Sequence, residues 1–429
     1  MLSLNYPDYI LLTLIVGVAI TKSQPLEEVA VGSLECKENT CMKLDYPNRT
    51  EVACFNENVT ANLMSYESLI LHSSQLANMP RKIFHQLPQL VELYVLECEV
   101  QGIERECFEG STNLRKLNFG GNFLRILASN TFELATQLEE LNLSDNQLEE
   151  LPPMIFLPLK KLQKLNLSSN RLKTIPQGIF SQLVLLSSVI LDSNQLTQLP
   201  GDLFRDQRRN LSEFSAKSNL LERVPSNIFL SVEHLQLSFN PQLRRLQSTA
   251  KVYDLHATNC GLESVKLKGP VVRVQLEDNL SLNELKISQP QVLEQLYLAN
   301  TNLSRLDFLS KASNLVDLDV TGIDNLSDLP QISSVAGLER LSFTYDNTSS
   351  DHMDMLPQLK DLKYLEITHD KGREVYIKDL EDDFFVDDVQ IHCDQLADLL
   401  EYVELPKDTM ILEDRIVGDS REPLRCGAT

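Results

Sequence analysis

The sequence predicts an α/β solenoid, a stack of about fourteen short units that share one parallel β-sheet. The first observation is a phenylalanine that recurs every 24 residues from Phe84 to Phe204. The second is a leucine that keeps the same interval from Leu69 to Leu165, after which Val189 takes its place. A fixed period of this length indicates a stacked array, in which each unit buries its apolar face only against its neighbours. Such an array favours a binding function.

Each unit contains the pattern Leu-x-x-Leu-x-Leu-x-x-Asn, which is clearest at residues 114–122, 138–146 and 162–170. The Leu-x-Leu alternation predicts a short strand with its leucines pointing inward. The pattern resembles the leucine-rich repeat family over roughly residues 63–375, regular to about residue 230 and irregular after it. We expect a horseshoe, because the later half of each repeat is wider than the strand spacing. The parallel strands would line its concave side, with centres at Leu69, Leu93, Leu117, Leu141, Leu165, Val189, Phe214, Leu235, Leu255, Val274, Leu296, Leu318, Leu341 and Leu365.

The ninth position of the pattern predicts an asparagine ladder. There the backbone turns away from the strand inside the core, and an asparagine amide can both donate and accept hydrogen bonds to it. Cys98 and Cys260 are interpreted as buried thiols in the same column, in preference to disulfide partners. Past Asn279 the column changes, since Ile323 has no polar group. The predicted ladder comprises Asn122, Asn146, Asn170, Asn194, Asn219, Asn240 and Asn279.

The N-terminus predicts a secreted, extracellular protein with no membrane span. Residues 1–23 have the character of a signal peptide, because the apolar run at residues 10–20 is too short to cross a bilayer comfortably. An uncleaved anchor is the alternative interpretation. Asn-X-Ser/Thr sequons agree with secretion, although we expect Asn279 to stay unmodified as a buried ladder residue. The predicted glycosylation sites are Asn48, Asn58, Asn142, Asn166, Asn210, Asn302, Asn325 and Asn347.

Residues 24–62 are predicted to form an N-terminal hairpin cap, because a stack exposes apolar ends unless something covers them. Cys41 and Cys54 flank the predicted hairpin, and the family resemblance also implies a cysteine-stapled hairpin at this end. Cys36 makes three cysteines in the cap. Either Cys107 supplies a fourth partner, or one thiol pairs elsewhere.

Residues 376–429 are predicted to form an acidic C-terminal cap and tail, densest in acidic residues at 381–388. A bridge between Cys393 and Cys426 would close this cap. The alternative is that Cys426 links to another chain, which would make a homo- or heterodimer.

Composition and motifs argue against several function classes. A net charge of −22 is unfavourable for binding nucleic acid or an anionic membrane surface. The sequence contains none of the common nucleophile, phosphate-loop or metalloprotease motifs, so we predict no enzyme, no cofactor and no metal. His234 and His256 lie at outward positions of successive strands, where a polar binding surface is favoured over a metal or catalytic pair.

The outward strand positions predict where a partner binds. In the regular half, the sequons at Asn142 and Asn166 would cover the sheet with glycans if modified. In the irregular half, tyrosine, arginine and acidic residues gather, and tyrosine and arginine often anchor interfaces. We predict a protein partner of unknown identity at Tyr253, His256, Tyr297, Asp317, Asp319, Arg340, Tyr345, Tyr364, Glu366 and His369.

The repeats are similar to those of insect extracellular leucine-rich repeat proteins, including Toll-type ectodomains and secreted leucine-rich immune proteins of mosquitoes. The resemblance implies innate immune recognition in body fluid. Those secreted proteins commonly carry a coiled coil, and this chain has no heptad run. A cell-surface adhesion or developmental signalling protein is the first alternative, and it would be retained on cells. An extracellular enzyme inhibitor is the second alternative, and an enzyme would purify with it.

Overall fold

The structure is a computed structural model of the 429-residue chain. It describes residues 18–21, 41–46, 49–54, 67–72, 78–79, 83–206, 210–323, 326, 332, 335, 337–345, 359, 361–369 and 373–378. The chain divides into two compact units. The first comprises residues 1–172 with 182–186, and the second comprises residues 173–181 with 187–429.

The strands of the first unit are β1 (Val18–Thr21), β2 (Cys41–Tyr46), β3 (Arg49–Cys54), β4 (Ser68–His72), β5 (Glu92–Leu96), β6 (Lys116–Asn118), β7 (Glu140–Asn142) and β8 (Lys164–Asn166). This unit also contains the short helix α1 (Ile83–Gln86) and a 3-10 helix at Arg105–Phe108.

The strands of the second unit are β9 (Ser188–Ile190), β10 (Leu211–Ser215), β11 (Ser231–Gln236), β12 (Arg245–Ser248), β13 (Lys251–His256), β14 (Ser264–Leu267), β15 (Val271–Gln275), β16 (Glu284–Ile287), β17 (Gln295–Tyr297), β18 (Asp317–Val320), β19 (Arg340–Tyr345), β20 (Tyr364–His369) and β21 (Arg373–Lys378). Two 3-10 helices, Pro290–Val292 and Leu309–Lys311, lie between its strands.

In the first unit, β4 to β8 form a parallel sheet with one repeat per strand. Leu69 is opposite Leu93, and the same register continues through Leu117 and Leu141 to Leu165. These five leucines are buried, because the alternation of the strand turns every second side chain toward the core. The predicted strand register of the regular half is therefore confirmed.

At the start of the first unit, β2 and β3 pair as an antiparallel hairpin that places Cys41 opposite Cys54. The predicted N-terminal hairpin is present. Strand β1, which lies within the predicted signal segment, pairs antiparallel with β4 and parallel with β2.

The phenylalanines of the first unit form a column behind the sheet. The ring centroids of Phe84 and Phe108 lie 6.1 Å apart, those of Phe108 and Phe132 5.7 Å, and those of Phe132 and Phe156 6.3 Å. All four side chains are buried. The 24-residue interval is thus the spacing at which each ring packs on the ring of the next repeat.

In the second unit, nine parallel strands run from β9 to β20, and β21 pairs antiparallel with β20. The residues at the predicted centres face one another from strand to strand: Val189, Phe214, Leu235, Leu255, Val274, Leu296, Leu318, Leu341 and Leu365. The predicted register therefore also holds where the repeat length becomes irregular.

Behind this sheet the phenylalanine column of the second unit ends at Phe229. The Phe204 ring lies 5.8 Å from Phe180 and 5.5 Å from Phe229, and Phe214 meets Phe204 edge-on. The following repeats instead contribute β12, β14 and β16 to a second, three-stranded parallel sheet. The sequence analysis missed this sheet. Its signal is the apolar alternation Val265-x-Leu267 and Leu285-x-Ile287, which Leu246-x-Ser248 precedes with a small polar residue at its second position.

The asparagine ladder connects successive repeats within each unit. In the first unit, Asn146 Oδ1 accepts from the Leu124 amide at 3.0 Å, and its Nδ2 donates to the Phe119 carbonyl at 2.8 Å. In the second unit, Asn219 Oδ1 accepts from the Leu196 amide at 3.0 Å. All seven ladder asparagines are buried. Each therefore satisfies backbone groups of its own repeat or of the preceding one that water cannot reach.

A left-handed residue precedes most ladder positions and makes the turn. Such residues have φ near +55°, for example Asp145 in the first unit and Ser218 in the second. Most are Gly, Asn, Asp or Ser, which tolerate this conformation or bond locally. Phe239, with φ 61°, is the bulky exception and is about half exposed.

Candidate functional site

We define the second-unit sheet face as the solvent-facing side of strands β11, β13, β15, β17, β18, β19 and β20. Its side chains point outward because strand residues alternate, and the centre of each strand is buried while its neighbours are not. Ten candidate binding residues were predicted on these strands. The side chains of Tyr345 and His369 lie outside the described residues.

Tyr297 and Asp317 form the central contact of this face. The Tyr297 hydroxyl donates to Asp317 Oδ2 at 2.7 Å from the adjacent strand. Desolvation, and then this hydrogen bond to the carboxylate, raise the pKa of Tyr297, and desolvation also raises the pKa of Asp317. Arg340, which is exposed and opposite Asp317 in the register, opposes both effects through its positive charge.

Tyr364 and Glu366 form a second contact one strand further along. The Tyr364 hydroxyl donates to Glu366 Oε2 at 3.0 Å, and the Ser342 hydroxyl donates to the same oxygen at 3.2 Å. Desolvation first, and the hydrogen bond to Glu366 second, raise the pKa of Tyr364 to about 12. The hydroxyls of these two half-buried tyrosines are therefore held by carboxylates, which restricts the rotation of their side chains.

Arg273 lies over the ring of Tyr253, with its guanidinium carbon 5.3 Å from the ring centroid. Tyr253 is 41% exposed, so this stacked pair is open to solvent on one side. The Nε of Arg273 is buried and has no hydrogen-bond partner within the described residues. The sequence analysis did not select Arg273, although it precedes a strand centre just as Asp317 and Arg340 do.

His256 and His234 lie on either side of Asp254. The Nε2 of His256 is 3.0 Å from Asp254 Oδ1, and the Nδ1 of His234 is 3.4 Å from Asp254 Oδ2. The two histidines therefore lie on either side of one nearly buried carboxylate. Within the described residues, no group of three or more His, Cys, Asp or Glu side chains is arranged to hold a metal ion.

Glu277 follows β15 on the same face and was also missed by the sequence analysis. Its Oε2 is buried without a hydrogen-bond partner in the described part of the chain. Desolvation raises the pKa of Glu277 to about 7, and the negative charges of Asp319 and Asp278 add to the effect. Asp319 itself accepts from the Thr321 amide at 2.9 Å.

The sheet face of the first unit has a different character. The Nζ of Lys116 lies 3.0 Å from Glu92 Oε1, and the Nζ of Lys164 lies 3.1 Å from Glu140 Oε1. Each of these two lysines therefore has an acidic partner on the neighbouring strand. Asn142 and Asn166 stand beside these pairs, each half-buried, and the Oδ1 of each accepts from the backbone amide two residues later.

The structure places five of the sequons within the described residues. Asn210 and Asn302 are exposed, and Asn142 and Asn166 are half-buried. Asn279 is fully buried, and its Nδ2 donates to the Ala257 carbonyl at 2.8 Å. The predicted sites Asn48, Asn58, Asn325 and Asn347 lie outside the described residues.

The described cysteines outside the N-terminal hairpin contact backbone carbonyls. The thiols of Cys98 and Cys107 donate to the carbonyls of Leu96 and Met79, both at 3.2 Å. The free Cys260 thiol points to the Leu237 carbonyl at 3.4 Å, and desolvation raises its pKa to about 11. Cys36, Cys393 and Cys426 lie outside the described residues.

Among the described residues, no helix has the length and apolar character needed to cross a bilayer.

Part of the chain is similar to a known repeat family. A family model for the leucine-rich repeat matches residues 88–148 and 136–196. No curated protein sequence matches the chain.

Three solved structures match the chain. The Toll–Spatzle complex of Drosophila contains a chain 19% identical, with 72% of this chain and 45% of that chain covered and a TM-score of 0.51. A Leptospira interrogans leucine-rich repeat protein is 23% identical, with 69% and 71% covered and a TM-score of 0.47. The TLR13–ssRNA13 complex gives 21% identity, 70% and 50% coverage, and a TM-score of 0.47. The matched region spans half or less of the Toll and TLR13 chains. At 19% identity the likeness to the Toll chain concerns the fold alone.

Proposed function

We propose that this leucine-rich repeat protein is a secreted recognition protein that binds another protein through the second-unit sheet face. The observation that supports this proposal is the concentration of tyrosines and arginines on this face. Neither Arg273 nor Arg340 forms an ion pair with a described residue. Tyrosine and arginine are the side chains that most often dominate binding energy at protein interfaces.

The hydrogen bonds of this face favour binding. Tyr297 and Tyr364 are already fixed by Asp317 and Glu366, so a partner that packs on their rings loses little side-chain entropy. Ordering a free side chain on association costs about 0.5–1.5 kcal/mol. A preordered aromatic surface avoids most of that cost.

The sheet face of the first unit lacks these features, and this difference supports the second-unit sheet face as the binding surface. Its lysines already neutralise Glu92 and Glu140, so a charged partner would have to displace existing ion pairs. Glycans at Asn142 and Asn166 would also cover it. We propose that this face is scaffold, and that the second unit carries recognition.

The biological setting that we propose is innate immune recognition in extracellular fluid. It rests on the predicted signal peptide, the sequons and the resemblance of the repeats to insect extracellular leucine-rich repeat proteins. An immune factor should accumulate in body fluid and rise on infection, whereas an adhesion protein should stay with cells.

The binding test uses a triple variant, Tyr297→Ala, Arg340→Ala and Tyr364→Ala. Wild-type and variant proteins are immobilised and exposed to extracellular fluid of the source organism, with and without reductant, and captured proteins are quantified by mass spectrometry. The matched control replaces Tyr94, Lys116 and Lys164 of the first-unit sheet face with alanine. We expect the control to capture the same partner as wild type and the triple variant to capture at least about tenfold less. A folded triple variant that captures the partner as well as wild type would refute the proposal.

A further inference from the structure

A pocket of about 460 Å³ lies in the second unit, on the part of three successive repeats that follows the ladder asparagines. Its volume is within the usual range of small-ligand sites. The side chains of Leu199 and Pro225 give it apolar surface. Thr174, Gln198 and Arg223 add a hydroxyl, an amide and a guanidinium group. The pocket therefore offers both apolar contact and hydrogen bonds to a small molecule.

Gly201 keeps this pocket open. Its backbone is not in the left-handed region, and a Cβ added there would meet only Pro225, at an ordinary contact distance of 3.7 Å. The neighbouring repeats have Gln177 and Ser226 at the matching position. The fold therefore does not require glycine here, and a side chain at this position would lie over Pro225 and occupy the pocket.

Two arginines stand side by side at the edge of the pocket. Arg223 is opposite Gln198 on one side and opposite Arg245, the first residue of β12, on the other. The Nη2 of Arg223 donates to Gln198 Oε1 at 3.0 Å, which fixes the guanidinium at the rim. Other arginines, such as Arg171, also lack an ion pair among the described residues, but only a pair of cations on adjacent segments repel each other across about 4.8 Å. A bound oxyanion would relieve this repulsion.

The carboxylates closest to these arginines in the sequence or in the strand register have other contacts. Glu263 pairs with Arg244 at 2.6 Å, and Glu284 pairs with Lys266 at 2.9 Å. Asp202, which follows Gly201, accepts from the Gly178 amide at 3.2 Å.

Glu222 precedes Arg223, is exposed, and forms no ion pair with it in the part of the chain that the structure describes. An incoming oxyanion would therefore reach both guanidinium groups without having to displace a carboxylate from either.

We propose that this pocket binds a short acidic saccharide, a sugar that carries a sulfate ester or a carboxylate. Arg223 and Arg245 would bind the oxyanion, since a guanidinium donates two parallel hydrogen bonds to such a group. The Thr174 hydroxyl and the Gln198 amide can bond to sugar hydroxyls, and Pro225 gives apolar contact to a ring face. The net charge of −22 disfavours a long polyanion, so the ligand that fits is short. This site is separate from the second-unit sheet face and does not depend on the proposed function.

Isothermal titration calorimetry of the full chain tests the ligand class with four probes. They are a sulfated heparin disaccharide, the same disaccharide without sulfate but with its carboxylate, neutral chitobiose, and inorganic sulfate. We expect the sulfated disaccharide or both acidic disaccharides to bind, and chitobiose to show no binding. Binding of the sulfated form alone would identify the sulfate ester as the recognised group, and equal binding of both would identify the carboxylate. Binding of neither acidic disaccharide, or inorganic sulfate binding as tightly as the disaccharides, would overturn the proposal.

Variants test the location of the site. Arg223→Gln and Arg245→Gln should each raise the Kd of the bound disaccharide at least about fivefold, because each removes a charged hydrogen-bond donor. Gly201→Leu should raise it at least about tenfold by filling the pocket, with an unchanged melting temperature. Arg171→Gln removes the same charge from an exposed position outside the pocket and is the matched control.

The proposal fails if Arg171→Gln weakens binding as much as Arg223→Gln, because the attraction would then be unspecific. It also fails if folded Gly201→Leu binds the disaccharide as well as wild type. The triple variant of the second-unit sheet face should keep wild-type affinity for the disaccharide. Loss of partner capture in that variant therefore leaves this inference standing, and loss of disaccharide binding in Gly201→Leu leaves the proposed function standing.

Discussion

Asn240 offers the sharpest test of the ladder in the second unit. Its side chain has no exposed surface, its Oδ1 accepts from the Leu221 amide at 3.0 Å, and its Nδ2 donates to the carbonyls of Ala216 and Leu237 at 3.0 and 2.7 Å. Asn240→Ala leaves the buried Leu221 amide unpaired, which costs about 1–3 kcal/mol. Each lost bond to a carbonyl costs about 0.5–1.5 kcal/mol. We therefore expect the free energy of unfolding of the second unit to fall by about 2–6 kcal/mol.

Urea unfolding followed by far-UV circular dichroism measures this loss. Gln195→Ala, at an exposed position of the same unit, is the control and should change stability by less than about 0.5 kcal/mol. Asn240→Cys should fall between the two, because a thiol can still donate to a carbonyl as Cys260 does, but it accepts only weakly. If Asn240→Ala is no less stable than Gln195→Ala, the ladder does not hold the repeats as described.

Three other outcomes follow from the same structure. Glycan mapping of secreted protein should find Asn302 occupied and Asn279 unmodified, since Asn279 is fully buried; heavy occupancy of Asn279 would contradict its register. The pKa of Glu277 is raised from 4.5 to about 7, so the folded state binds more protons than the unfolded state between these values, and stability should fall as pH rises through them. Glu277→Gln should flatten the dependence of melting temperature on pH over that window, and an unchanged slope would count against the assignment. The Cys260 thiol, with its pKa raised to about 11, should resist alkylation at pH 8 until the protein is unfolded, whereas rapid labelling of native protein would contradict its burial.

The parallel sheet could be predicted from the sequence because each position of the repeat recurs many times, so that the residue type it requires is clear. A single strand centre such as Leu255 or Val274 is weak evidence for a strand. Fourteen such residues at matching positions of the repeat leave few alternative alignments. The ladder positions follow the same logic, because a buried turn has a chemical requirement that asparagine meets.

The second sheet and the details of the binding face were harder to predict. Strands β12, β14 and β16 belong to the half of each shortened repeat that follows the main strand. The position of that half is set by packing against neighbouring repeats. Arg273 and Glu277 could have been selected by their positions in the repeat. The stacking of Arg273 on Tyr253, and the burial that raises the pKa of Glu277, are properties of three-dimensional contacts between strands.

The constant offset within the first unit also bears on how this protein can evolve. Leu124 bonds to Asn146 and Leu148 to Asn170 across the same separation of 22 residues, and the ladder amides reach back 27 residues in both repeats. Unequal recombination that duplicates or deletes one whole 24-residue segment would give every side chain an equivalent neighbour. In the second unit the separations vary, from 23 residues at Asn219 to 19 at Asn240 and 17 at Asn279, so the same event would mismatch them. A change of length by one whole repeat should therefore disturb the first unit less than the second.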